Sequence, residues 1–142
     1  MTRAYQGSGK MLLCIDDSQA ILEYERSLFE TSGYIVVTAT SPAQGLRLAT
    51  MSRFDVVLLD YQMPEMNGHQ VALEIRRLRP ETLLVMVSGS DIPEETRQLV
   101  DAVIPKTEAI GELLPTVAEL CEQVSPPRIR RREAQGRSDL QS

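Results

Sequence analysis

Apolar positions cluster in five short runs, at about 11–15, 34–38, 55–59, 83–87 and 101–104, and each run is followed by a segment with helical spacing. Five strand–helix repeats predict an α/β domain built on a parallel sheet. The runs MLLCI, DVVLL and LLVMV, which begin at Met11, Asp55 and Leu83, are apolar on both faces, so these strands are expected to be the central three.

The helices show themselves by period and by their ends. Ile21, Tyr24 and Leu28 mark one face of the first. Ser41 and Pro42 give the second a cap and a first-turn proline, and Asn67 caps the third, where Val71, Ala72, Ile75 and Leu78 recur on one side. In the last, Ile110, Leu113, Leu114, Val117, Cys121 and Val124 follow i, i+3, i+4, i+7 spacing and predict an apolar stripe packed on the sheet. The fourth, Pro93 to Val100, is short and mostly polar and is expected to be the least stable.

Composition narrows the class. At 142 residues, 42% hydrophobic and 25% charged, the chain reads as one soluble globular domain. Its apolar runs are of buried-strand length, which argues against membrane insertion. The N-terminal residues carry no signal-peptide pattern, so a cytoplasmic location is expected. Cys14 and Cys121 lie far apart without metal-ligand spacing and read as reduced core residues. Residues 1–9 read as an arm, 10–125 as the packed domain and 126–142 as a basic tail of disordered composition. Of the net charge of −5, the tail contributes +3 and the remainder −8. An acidic domain argues against nucleic-acid binding, which needs clustered Lys and Arg to replace counterions.

Ligands of an open parallel sheet collect at the carboxyl ends of its strands. There the sequence places Asp16-Asp17 after the first strand, Asp60 after the third, Ser88 after the fourth and Lys106 after the fifth. Three carboxylates crowded at one rim need cationic compensation. Mg2+ fits an all-oxygen set shared with water and a phosphoryl oxygen, and Lys106, one of only two lysines, adds a compact positive charge. Phosphoryl transfer asks for an in-line nucleophile and neutralisation of the transferring oxygens; Asp60 is the candidate nucleophile and Ser88 a hydrogen-bond donor.

The segments IDDSQA at 15–20, FDVVLLDYQMPEMNG at 54–68, VSGS at 87–90 and IPK at 104–106 together resemble the receiver domains of two-component response regulators, over about Met11 to Val124. The resemblance implies a flavodoxin-like, doubly wound five-stranded sheet of order 2-1-3-4-5 with helices on both faces. It implies transfer of a phosphoryl group to Asp60 from a sensor histidine kinase or phosphotransfer protein, and signalling through contacts with a downstream protein. Asp17, Asp60 and the Gln62 backbone carbonyl would bind Mg2+ directly and Asp16 through water, while Ser88 would move toward the phosphoryl group. Such a protein is not an enzyme in the ordinary sense, since it catalyses only its own phosphorylation and dephosphorylation.

Two features depart from that family. Val103 stands where Tyr or Phe is common three residues before the lysine, and the interval from Ser88 to Lys106 is shorter by roughly one helical turn. They motivate an alternative, a non-phosphorylated pseudo-receiver acting as an interaction scaffold. A phosphatase of the haloacid-dehalogenase type would want a second Asp where Gln62 stands, and a flavin-binding protein would not place Asp16 and Asp17 where the phosphate must sit. Taken singly, Asp16 and Asp17 could cap the first helix, and His69, the sole histidine, reads as a surface residue.

Overall fold

The computed structural model describes residues 7–135, and side chains within 7–124. Five strands, β1 (Met11–Ile15), β2 (Ile35–Ala39), β3 (Val56–Asp60), β4 (Leu83–Ser88) and β5 (Ala102–Pro105), form one parallel sheet of order β2-β1-β3-β4-β5. The three strands that are apolar on both faces are the central ones, as expected. Side chains alternate across the pleat. Leu12, Cys14, Val56, Leu58, Val85 and Val87 therefore pack on one layer, while Leu13, Ile15, Val57, Leu59, Leu84 and Met86 pack on the other.

The first layer is made by α1 (Gln19–Thr31) and α5 (Ala109–Gln135), the second by α2 (Pro42–Met51), α3 (Gly68–Leu78) and the single turn α4 (Glu94–Arg97). Each of the first three helices starts on a side-chain cap. Ser18 Oγ accepts the Ile21 amide at 3.3 Å, Ser41 Oγ accepts that of Gln44 at 3.2 Å, and Asn67 with Gln70 closes a capping box. α4 has no side-chain cap and four residues, which agrees with its weak sequence signal.

The structure corrects several boundaries and faces. β2, β3 and β5 each begin one residue later than the apolar runs suggest. Asp55 and Asp101 stand just ahead of the strands they precede and turn their side chains to the neighbouring ones: Asp55 Oδ2 accepts the amide of Met11, the first residue of β1, and Asp101 Oδ2 that of Leu84, the second residue of β4, both at 2.8 Å. Tyr34 turns its ring edge-on to Phe29, with centroids 5.2 Å apart. In α1 the buried face is Leu22, Glu25 and Phe29, while Tyr24 is exposed. A carboxylate in the middle of that stripe hid it from a periodicity reading. Ile110, expected on the packed stripe of α5, is 81% exposed, whereas Leu113, Val117 and Cys121 are buried.

The backbone of α5 continues helically to Gln135. The expected boundary at 125/126 falls where the side chains pass outside the described residues, as do the arm residues 1–6 and the chain from 136 onward.

Candidate functional site

Four strand ends meet at one rim. β1 runs out into Asp16 and Asp17, Asp60 is the last residue of β3, and Ser88 is the last of β4, with Lys106 immediately after β5. Carboxylate oxygens of Asp16, Asp17 and Asp60 lie within 4.8 Å of one another. Lys106 Nζ sits 3.3 Å from Asp60 Oδ1, with the carboxylate buried and the ammonium partly open to solvent.

Asp16 and Asp60 are buried and Asp17 is exposed, so the rim has a buried floor and an accessible carboxylate above it. Burial pushes the Asp16 carboxyl up to about 6; the Ser18 amide, 2.8 Å from its Oδ1, pulls the other way, and the Asp60 charge adds to the rise. Burial also raises Asp60 above the ordinary carboxylate value, against the Lys106 ammonium and the Gln62 amide. The N-cap of α1 is Ser18, so Asp16 and Asp17 are not the cap. Two buried carboxyls held toward protonation, with a third at the mouth, are a donor set short of positive charge, and a hard divalent cation with oxygen ligands fits them.

The β3–α3 loop is keyed tightly to the site. The Gln62 amide lies 3.4 Å from Asp60 Oδ1, which puts this stretch of backbone beside the carboxylate. The Gly68 amide donates to the Tyr61 carbonyl at 2.6 Å. A Cβ at position 68 would lie 2.8 Å from Tyr61 Cα and 3.0 Å from the Asp60 carbonyl oxygen, so only glycine lets α3 start this close to the peptide that follows Asp60. Tyr61 is half-buried and packs against the core layer below.

Ser88 is buried and engaged in its own loop. Its hydroxyl donates to the Ser90 carbonyl at 2.7 Å and accepts the Ser90 amide at 3.0 Å. Beside it a cavity of about 180 Å³ lies between the β4–α4 loop and β5, reached by Ser88, Ser90, Arg97, Val103 and Lys106.

The structure corrects the reading of one residue and adds another that the sequence did not reveal. His69 is not a free surface residue: its Nδ1 is 2.8 Å from Oγ1 of Thr96, which is buried in α4. Only the tertiary pairing shows this, since a lone histidine carries no local signal. Glu25 lies 3% exposed beneath the rim, hydrogen-bonded to the Cys14 thiol, and burial raises its carboxyl to about 8, with the Asp16 charge adding to the rise. A negative charge on an apolar stripe was the signal that could have found it.

Comparison with known proteins gives a consistent picture. The family model described as response regulator receiver domain matches residues 12–117. The chain is 32% identical over 119 residues to the transcriptional regulatory protein GlrR of Escherichia coli, covering 81% of this chain and 27% of the relative. It is 28% identical over 133 residues to the response regulator MprA of Mycobacterium leprae, covering 91% and 58%. The chain thus spans well under two thirds of these relatives. Among solved structures, a CheY-like receiver domain protein from Methanospirillum hungatei superposes with a TM-score of 0.76 at 29% identity, covering 82% of this chain and 96% of that one. The response regulator TrrA of Thermotoga maritima, solved in complex with Mg2+ and beryllofluoride, gives 0.74 at 26% identity, covering 78% and 98%. A structure of the histidine kinase ThkA in complex with TrrA also matches, with 0.72 at 26% identity and coverage of 78% and 97%.

Proposed function

The chain belongs to the receiver-domain family of two-component response regulators, and from that premise we propose that it accepts a phosphoryl group on Asp60 from a histidine kinase or phosphotransfer protein. The observation that carries the reading is the single rim on which Asp60 meets Asp16, Asp17 and Lys106. Mg2+ held by Asp17, Asp60 and the Gln62 carbonyl, with Asp16 acting through water, would supply charge neutralisation to the phosphoryl oxygens. An Asp60 carboxylate oxygen attacks phosphorus as the P–N bond of the donor's phosphohistidine breaks; the electron pair returns to the imidazole, which takes a proton from solvent. Lys106 neutralises the charge that remains, and its partial exposure lets it follow the group as it arrives. The Ser88 hydroxyl exchanges its bonds to Ser90 for one to a phosphoryl oxygen.

The product signals through protein contacts, and the domain turns over no substrate but its own phosphoryl group. The kinase partnership is supported by the resemblance to a receiver solved with its kinase. A cytoplasmic setting is supported by two free, buried thiols, which suit a reducing compartment; no helix among the described residues is long and apolar enough to cross a membrane. The one-turn α4 and Val103 favour a second reading, a scaffold that is never phosphorylated.

One experiment separates the two. Incubated with acetyl phosphate and Mg2+, the intact protein gains one phosphoryl mass, and the gain is lost in Asp60→Ala and in EDTA. No gain under conditions that modify an ordinary receiver would overturn phosphoacceptance and promote the scaffold.

A further inference from the structure

The cavity beside Ser88 joins two cations that local sequence does not connect. Lys106 reaches it from the end of β5 and Arg97 from the last turn of α4. Lys106 is already committed to Asp60 at 3.3 Å. Arg97 is exposed, and its guanidinium makes no hydrogen bond or ion pair among the described residues. Space for it exists because the β5 side chain that faces the cavity is only a valine, Val103, while Gly89 and Ser90 contribute little bulk from the loop.

Charge sets the demand. Replacing the Asp60 carboxylate by its phosphorylated form adds roughly one negative charge and three acceptor oxygens to a rim that Lys106 alone had balanced on this side. Ser88 gives up its contacts with Ser90 on turning toward those oxygens, and this frees the strand-4 loop to readjust around the cavity. A planar guanidinium with five donors is suited to the widened, more negative space, and Arg97 is the basic residue besides Lys106 that lines it. Asp91, on the same lining, would oppose a free anion. Tethering on Asp60 makes the encounter intramolecular, and this favours a covalently held phosphoryl group over phosphate from solution.

Resting on the phosphoacceptor reading above, we infer that Arg97 turns into the cavity beside Val103 when Asp60 is phosphorylated and gives the phosphoryl group its second protein cation. Through Arg97 the one-turn α4 senses the modification directly, without an aromatic side chain at position 103.

The test compares wild type, Arg97→Ala and Arg97→Lys by two measures, the half-life of the acyl phosphate from intact mass and the affinity for beryllofluoride with Mg2+ by 19F NMR. Expected are a loss of about tenfold in beryllofluoride affinity and a shortened half-life in Arg97→Ala, substantial rescue in Arg97→Lys, and an unchanged Tm of the unphosphorylated protein. Inorganic phosphate should give no saturable binding. Arg97→Ala within twofold of wild type on both measures overturns the inference while leaving Asp60 phosphorylation intact. Loss of both measures in Arg97→Lys together with a lowered Tm also overturns it, in favour of a structural role. A wild type that takes up neither group overturns this inference along with the reading it rests on.

Discussion

Glu25 carries the clearest residue-scale consequence. Its carboxyl is raised to about 8 by burial, far above the 4.5 of an ordinary glutamate. In the folded protein it holds a proton that the unfolded chain releases, so its favourable contribution is whole below about pH 4.5 and is lost as pH rises through about 8. The shift is worth on the order of a few kcal/mol. Glu25→Gln, which keeps the shape and the capacity to accept from Cys14, is expected to flatten the fall in Tm between pH 6 and 9 without changing the mass gained from acetyl phosphate. A variant whose Tm falls as steeply as wild type over that range would show that Glu25 is not the group responsible. Asp16 and Asp60 had to be found at this scale too, and here the sequence was informative: acidic pairs and a lysine at predicted strand ends can be placed on one rim from topology alone. Glu25 was missed for the opposite reason, since burial of a charge contradicts the pattern used to find buried faces.

Among the elements, the segment between β4 and β5 behaves unlike the rest. α4 is too short and too polar to hold itself, and it is pinned to α3 at two points. At one, His69 meets Thr96; at the other, Arg76 donates to the Leu99 carbonyl and to Asp101, each at 3.0 Å, and to the carbonyls of Pro80 and Thr82. Arg76→Ala leaves those acceptors without their donor and is expected to cost about 2 kcal/mol, read by urea unfolding. His69→Ala is expected to raise amide exchange in 94–100 while sparing β1 and β3. Equal exchange in both variants and wild type would mean that the segment is held from elsewhere. Strands and long helices were legible because each carries its own period. The clamp was not, because its partners lie 23 to 27 residues apart and neither end has a local signature.

For the whole molecule, folding is what assembles the acidic rim, from the ends of strands distant in sequence. A cation that binds the assembled carboxylates and not the open chain stabilises the fold by mass action. With Mg2+ at about ten times its dissociation constant, the gain is about 1.4 kcal/mol, or a rise in Tm of roughly 3–6 °C for a domain of this size. Asp17→Asn should reduce that rise, and a Tm indifferent to Mg2+ in wild type would count against the rim as a cation site. The strand order was predictable from which runs are apolar on both faces and from the family resemblance. The exposure of Ile110 and Tyr24 was not, because the groove of about 300 Å³ that they line between α1 and α5 depends on how the two helices settle against each other.

The Ser88 hydroxyl, paired with the Ser90 carbonyl and amide, has a bearing on how quiet an unmodified protein can be. Two hydrogen bonds of this kind are together worth about 1–3 kcal/mol. An alternative rotamer separated by so small a gap is occupied on the order of 1–10% of the time at equilibrium. On the phosphoacceptor reading, occupancy of that rotamer would be a basal leak, a background output fixed by two bonds in one three-residue turn. The loop around Ser90, rather than the acidic rim, would then set the signal-to-noise ratio of the proposed output.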